Sequence, residues 1–112
     1  MSDRKRKSTP EGLLQRLVLD WLAAKHIFAL RMNSGALINA NGRPVTFGVQ
    51  GMADILAFPR WHDSTSLRVV WLELKAPRGQ QSELQKSFQE KVESEGHRYL
   101  LIRSLDELES QL

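Results

Sequence analysis

The chain has 112 residues, 41% hydrophobic and 26% charged, proportions that suit one globular domain with a small core. The absence of cysteine excludes disulfides, zinc fingers and thiol catalysis and fits a reducing cytoplasm, which is the expected location. The net charge of +3 permits nucleic acid as a partner, no apolar run approaches the ~18 residues of a membrane span, and the basic N-terminus is followed by no apolar stretch of a secretory signal.

Residues 1–8 read as a flexible basic arm, and residues 9–112 as a single domain. Arg4-Lys5-Arg6-Lys7 is either a solvated tail or a phosphate-binding arm whose contribution falls with salt. A helix is predicted from about Pro10 to Lys25, with Leu14, Leu17, Val18, Trp21 and Leu22 as one buried stripe. Ser8 or Thr9 can cap it, and Pro10 suits its first turn. Glu11, three residues after Ser8, is either the second half of a capping box or a carboxylate aimed at a site from the first turn.

Ile27 to Met32 reads as a strand that ends in the turn chemistry of Asn33-Ser34-Gly35. Asn41-Gly42, between the β-favouring runs Ala36 to Asn39 and Val45 to Gly48, signals a hairpin, and Pro44 makes it peripheral. Arg31, Asn33 and Arg43 are polar groups suited to phosphates, although each taken singly is an ordinary surface residue. A strand over Ala53 to Phe58 follows Gly51, whose backbone freedom falls just before Asp54. Residues 59–66 read as a polar loop, and the strand after it spans Leu67 to Ala76. The short connection makes these two strands antiparallel neighbours.

A second helix is predicted over Glu83 to Glu95, with Leu84, Phe88 and Val92 buried, Ser82 and Gln85 as a capping box, and Gly96 as the stop. Arg98 to Arg103 reads as a strand parallel to the central one, reached by a right-handed crossover. A short terminal helix starts at Ser104-x-x-Glu107. His26, His62 and His97 occur singly without ligand spacing and are read as non-catalytic; no phosphate-binding glycine loop, dinucleotide fingerprint or serine triad is present.

The chemistry concentrates in Val69-Val70-Trp71-Leu72-Glu73-Leu74-Lys75-Ala76, a strand buried on both sides that nevertheless holds Glu73 and Lys75 on one face. Charges inside a buried strand are normally paired or hold a metal. With Asp54 one strand back, the pattern Asp…Glu-x-Lys suits metal-dependent phosphodiester cleavage. Asp54, Glu73 and the main-chain carbonyl of Leu74 would give oxygens to magnesium or manganese, with Glu11 bound directly or through a water. Lys75 would orient or deprotonate the attacking water and stabilise developing charge. The bland alternative for Glu73 and Lys75 is an ion pair on a half-exposed strand.

The chain resembles a stand-alone VRR-NUC domain, the virus-type replication-repair nuclease branch of the PD-(D/E)XK superfamily. The resemblance rests on Pro10-Glu11 with Gln15, Arg31-Met32-Asn33-Ser34-Gly35, Gly51-Met52-Ala53-Asp54-Ile55, Glu73-Leu74-Lys75-Ala76-Pro77, Gln81-Ser82-x-x-Gln85-x-x-Phe88 and Ser104-Leu105-Asp106-Glu107-Leu108. It departs in Gln50-Gly51-Met52-Ala53, where the family often places proline beside the aspartate. The resemblance implies an α/β fold: a restriction-endonuclease-like αβββαβ core with an added β-hairpin and a mixed central sheet flanked by helices. It implies catalytic roles for Glu11, Asp54, Glu73 and Lys75 with Gln85 in support, a bound Mg2+ or Mn2+, and a homodimer acting on branched DNA such as four-way junctions. The other readings are a non-cleaving or partner-dependent nucleic-acid-binding module of a replication or repair complex, and a sequence-specific restriction-like enzyme. The lack of an evident target-recognition insertion counts against the last.

Overall fold

Leu14, Val18 and Leu22 recur every fourth position, and this is the stripe the first helix buries. The computed structural model describes residues 9–32, 35–59 and 69–112. Helix α1 spans Pro10–Ala24 and is capped by Thr9, whose side-chain oxygen accepts from the Gly12 N–H at 2.9 Å. Thr9 thus takes the cap that a box of Ser8 and Glu11 would have used; Glu11 is exposed in the first turn, and Ser8 lies outside the described residues. Leu17, expected in the stripe, is 51% exposed, because one residue of helix turns it about 100° away from Val18.

Strand β1 spans Phe28–Arg31, followed by a hairpin of β2 (Gly35–Ile38) and β3 (Pro44–Phe47). Asn39 organises the hairpin turn, its side-chain oxygen accepting from the N–H groups of Asn41 and Arg43 at 2.9 and 3.0 Å, while Gly42 takes the left-handed conformation. The hairpin forms its own two-stranded sheet, as Pro44 implied. Strand β4 (Ile55–Phe58) and strand β5 (Val70–Leu74) are antiparallel neighbours; the connection between them lies mostly outside the described residues. Helix α2 (Glu83–Ser94) carries the chain to strand β6 (Arg98–Ile102), parallel to β5, and helix α3 (Leu105–Gln111) follows. The main sheet is mixed, in the order β1-β4-β5-β6. The fold is α/β.

Alternation divides the sheet into two faces. Ile55, Ala57, Val70, Leu72, Leu74 and Ile102 form one core with Leu14, Val18 and Leu22 of α1 and Leu108 of α3. The other face carries Trp71, Glu73 and Tyr99 toward α2, where Phe88 meets the Trp71 ring edge-on at 4.9 Å. Here the expected stripe holds at Phe88 and Val92 and fails at Leu84. Leu84 is 53% exposed, and no residue of α2 is fully buried. The helix turns Gln85, Phe88, Gln89 and Val92 toward the sheet, which puts two carboxamides where an apolar face was expected. Among the described residues, no helix is long and apolar enough to cross a membrane.

Candidate active site

Leu56 stands opposite Trp71 and Ile55 opposite Leu72 in the β4–β5 register. The Cα register ends there, and the charge of Asp54, one residue earlier, acts on Glu73. Asp54 sits just before β4 rather than inside it, but the ladder still holds it. Its N–H donates to the Leu72 carbonyl at 3.0 Å, and its carbonyl accepts from the Met32 N–H at 2.7 Å. Its side-chain Oδ2 accepts from the Leu74 N–H at 2.7 Å, so the carboxylate caps the last residue of β5 in place of a main-chain carbonyl. The Leu74 N–H points toward β4, and in a strand the carbonyl of the same residue takes the same side. That oxygen therefore lies on the Asp54 side of β5.

Glu73 is only 2% exposed, the single buried charged residue among those described. Its Oε2 accepts from Gln85 Nε2 at 2.8 Å and lies 3.6 Å from Lys75 Nζ. Its Oε1 accepts from the Tyr99 hydroxyl at 3.4 Å. Gln81 Nε2 donates to that hydroxyl and to Gln89 Oε1, both at 3.0 Å, which turns the tyrosine proton toward Glu73. A carboxylate has about four acceptor sites, so these donors orient Glu73 without exhausting it. Gln85 also completes the α2 capping box: its Oε1 accepts from the Ser82 N–H at 2.9 Å while its own N–H donates to Ser82 Oγ at 3.1 Å. One side chain thus caps the helix and contacts Glu73, because its amide has both an acceptor and a donor end.

Burial and proximity set the charge state of the pair. Burial lifts Glu73 to about 7, the Asp54 charge adds to the rise, and Lys75 opposes it. Asp54 is also raised, first by burial; the Leu74 N–H opposes this, the Glu11 charge adds to it, and Lys75 and Arg31 lower it. Tyr99 is pushed above the ordinary phenol value by burial and by the adjacent Glu73. Two carboxylates thus act on each other in a poorly solvated place, with Lys75 acting on both.

Gly51 explains how α2 comes so close. It adopts φ +82°, and a Cβ there would lie 2.4 Å from the Leu84 carbonyl oxygen and 2.9 Å from the Gln85 nitrogen. The chain entering Asp54 is thereby pressed against the first turn of α2, which brings Gln85 over Glu73.

No protein-family model, curated protein or solved structure matches the chain. The structure brings together Asp54, Glu73, Lys75 and Gln85, with Glu11 acting on Asp54 through its charge. Arg31 is exposed at the end of β1 and acts on Asp54 from there, and Arg43 lies exposed beside the hairpin turn. Asn33 and the run Arg4, Lys5, Arg6 and Lys7 lie outside the described residues. Among the described residues no group of three or more histidine, cysteine, aspartate or glutamate side chains is arranged to hold a metal. The oxygen donors that meet where β5 ends are Asp54, Glu73 and the Leu74 carbonyl. A surface recess lined by Trp21, Lys25, Ile27, Glu109 and Leu112 contains none of the site residues. Sequence reasoning missed Tyr99 as a partner of Glu73. Its approach depends on the parallel β5–β6 register, with Trp71 opposite Tyr99, and no local motif encodes that register.

Proposed function

We propose that this chain is a divalent-metal-dependent, structure-selective DNA endonuclease, cleaving branched DNA such as four-way junctions by phosphodiester hydrolysis. The observation that carries the reading is the gathering at the end of β5 of Asp54, whose Oδ2 accepts from the Leu74 N–H at 2.7 Å, the buried Glu73, and Lys75, whose Nζ lies 3.6 Å from Glu73. Setting the hairpin aside, the order α1, β1, β4, β5, α2, β6 is αβββαβ, which supports a PD-(D/E)XK core of the VRR-NUC kind.

The donor set fits a hard divalent cation. Two carboxylates whose charges are incompletely relieved and one strand-end carbonyl offer the hard oxygens that Mg2+ or Mn2+ favours, and an ion that retains several waters needs few protein ligands. Such an ion would neutralise phosphate charge, activate water and stabilise the leaving oxygen. Asp54, Glu73 and the Leu74 carbonyl would hold it, with Glu11 reaching it directly or through water. Gln85 and Tyr99 keep Glu73 from rotating. The Lys75 ammonium would orient the attacking water and stabilise charge on the phosphoryl oxygens. In the same reading the protein works in the cytoplasm as a homodimer, two copies presenting two sites to two strands. Arg31, Arg43 and the basic arm 1–8 would meet backbone phosphates, so recognition would rest on shape more than on bases.

The test uses end-labelled linear duplex, single strand, flap, splayed arm and four-way junction, each with Mg2+, Mn2+ or chelator, beside Asp54→Ala. Metal-dependent cuts in branched substrates, absent in the variant, are expected. DNA binding without products on any substrate would overturn the reading in favour of a non-cleaving module.

A further inference from the structure

Lys75 follows the last residue of β5, so the strand ladder alone does not fix its side chain. Its N–H donates to the Ile102 carbonyl at 3.0 Å, the last rung between β5 and β6. Beyond it the chain turns through Ala76, Pro77, Arg78 and Gly79, closed by the Gly79 N–H donating to the Ala76 carbonyl at 2.9 Å. The turn comes back over the lysine: a Cβ on Gly79 would lie 3.4 Å from Lys75 Cδ, so the glycine backbone packs on the lysine stem. Although Lys75 is long and at a strand end, its side chain is only 12% exposed.

Arg103, on β6's far end, reaches across to this turn. Its Nη1 donates to the carbonyls of Ala76 at 2.9 Å, Pro77 at 3.3 Å and Gly79 at 2.6 Å. Its own backbone is fixed from the other side, because its N–H donates to a Glu107 carboxylate oxygen in the first turn of α3. Among the described residues no carboxylate pairs with the guanidinium, which directs its planar donors to main-chain carbonyls of one turn.

We propose that Arg103 is a positioning residue: by gathering the carbonyls of the Ala76–Gly79 turn it presses Gly79 onto the Lys75 stem and holds the ammonium beside Glu73. The catalytic consequence rests on the nuclease reading, whereas the placement of Lys75 does not. Loss of the clamp leaves the hydrogen bonds of Asp54, Glu73 and Gln85 in place, so DNA and metal binding persist while Lys75 wanders from Glu73. A misplacement of about 1 Å at a reacting group costs on the order of a hundredfold in rate.

Two measurements test this in the full chain with Arg103→Ala. First, Lys75 is acylated by a small amine-reactive reagent and followed by mass spectrometry, with Lys86, whose side chain is 56% exposed, as internal reference. Labelling of Lys75 relative to Lys86 is expected to rise several-fold; an unchanged ratio overturns the proposal. Second, kcat for junction cleavage is expected to fall on the order of a hundredfold with KM unchanged, and the same substitution in a Lys75→Ala background is expected to change nothing further. An equal loss in that background overturns the proposal, since Arg103 would then act independently of Lys75. If Arg103→Ala fails to fold by circular dichroism, Arg103→Lys, which loses the planar fork, takes its place with the same expectations. A wild-type protein that cuts no substrate refutes the nuclease reading, and the labelling still decides the role of Arg103.

Discussion

Gly51→Ala should be far more damaging than Gly42→Ala, although both glycines are left-handed. Gly42 has φ +77° and no atom within 4 Å of where a Cβ would stand, so alanine there meets only the backbone penalty. That penalty is ~1–2 kcal/mol, offset by the ~0.4–1 kcal/mol gained from a less flexible unfolded chain. Gly51, at φ +82°, carries the same penalty and also a Cβ 2.4 Å from the Leu84 carbonyl oxygen and 2.5 Å from its carbon. These are helix main-chain atoms and cannot rotate aside, so the clash must be relieved by moving α2 or the chain entering Asp54. Overpacking of this kind costs ~1–3 kcal/mol. The expected difference between the variants is therefore about 1–3 kcal/mol, read as a lower urea midpoint at unchanged slope, or about 5 °C or more in Tm. Since the displaced atoms include the Gln85 nitrogen, Gly51→Ala should also lose cleavage at temperatures where it remains folded. Equal stabilities within ~0.5 kcal/mol would refute the close approach of α2 to the Gly51 turn and, with it, the account of how Gln85 reaches Glu73.

Glu73→Gln should stabilise the metal-free protein at alkaline pH. The glutamate is raised from 4.5 to about 7 in the folded state, so the unfolded chain loses its proton first and wild-type stability falls as pH rises through that window. The loss amounts to roughly 2–3 kcal/mol, and urea titrations in chelator at pH 5 and pH 8 should find it in wild type and not in the variant. A wild type equally stable at both pH values would contradict the buried, repelled state of Glu73. Asp54→Ala should abolish cleavage and, because it removes the acceptor of the Leu74 N–H, also cost ~1–3 kcal/mol by denaturation; retained activity would remove Asp54 from the site. Lys75→Met should keep metal binding by calorimetry and lose most of the rate, and loss of metal binding would make Lys75 structural.

What the sequence makes legible here is what local spacing encodes. Alternation put Glu73 and Lys75 together, Asn41-Gly42 marked the hairpin, and one crossover helix made β6 parallel to β5. Side-chain rotation and strand register are set by tertiary contacts and were not legible in the same way. The spacing of Leu84, Phe88 and Val92 predicted an apolar face; Phe88 and Val92 do turn toward the sheet, but in the first turn Gln85 rather than Leu84 looks at it. That first turn exposes an apolar side chain, and a stripe chosen for burial alone would not accept it. It is compensated by what Gln85 does inward: it closes the Ser82 cap and gives Glu73 a 2.8 Å donor. The same holds for Tyr99 and Arg103, which reach Glu73 and the Lys75 turn only because β6 lies in one register against β5. Local propensity and global fold disagree around one carboxylate, and such conflicts in natural proteins concentrate where function is built. The carboxamide turned inward on α2, the buried charge on β5 and the carbonyl-gathering arginine beyond β6 thus point to the same corner of the sheet.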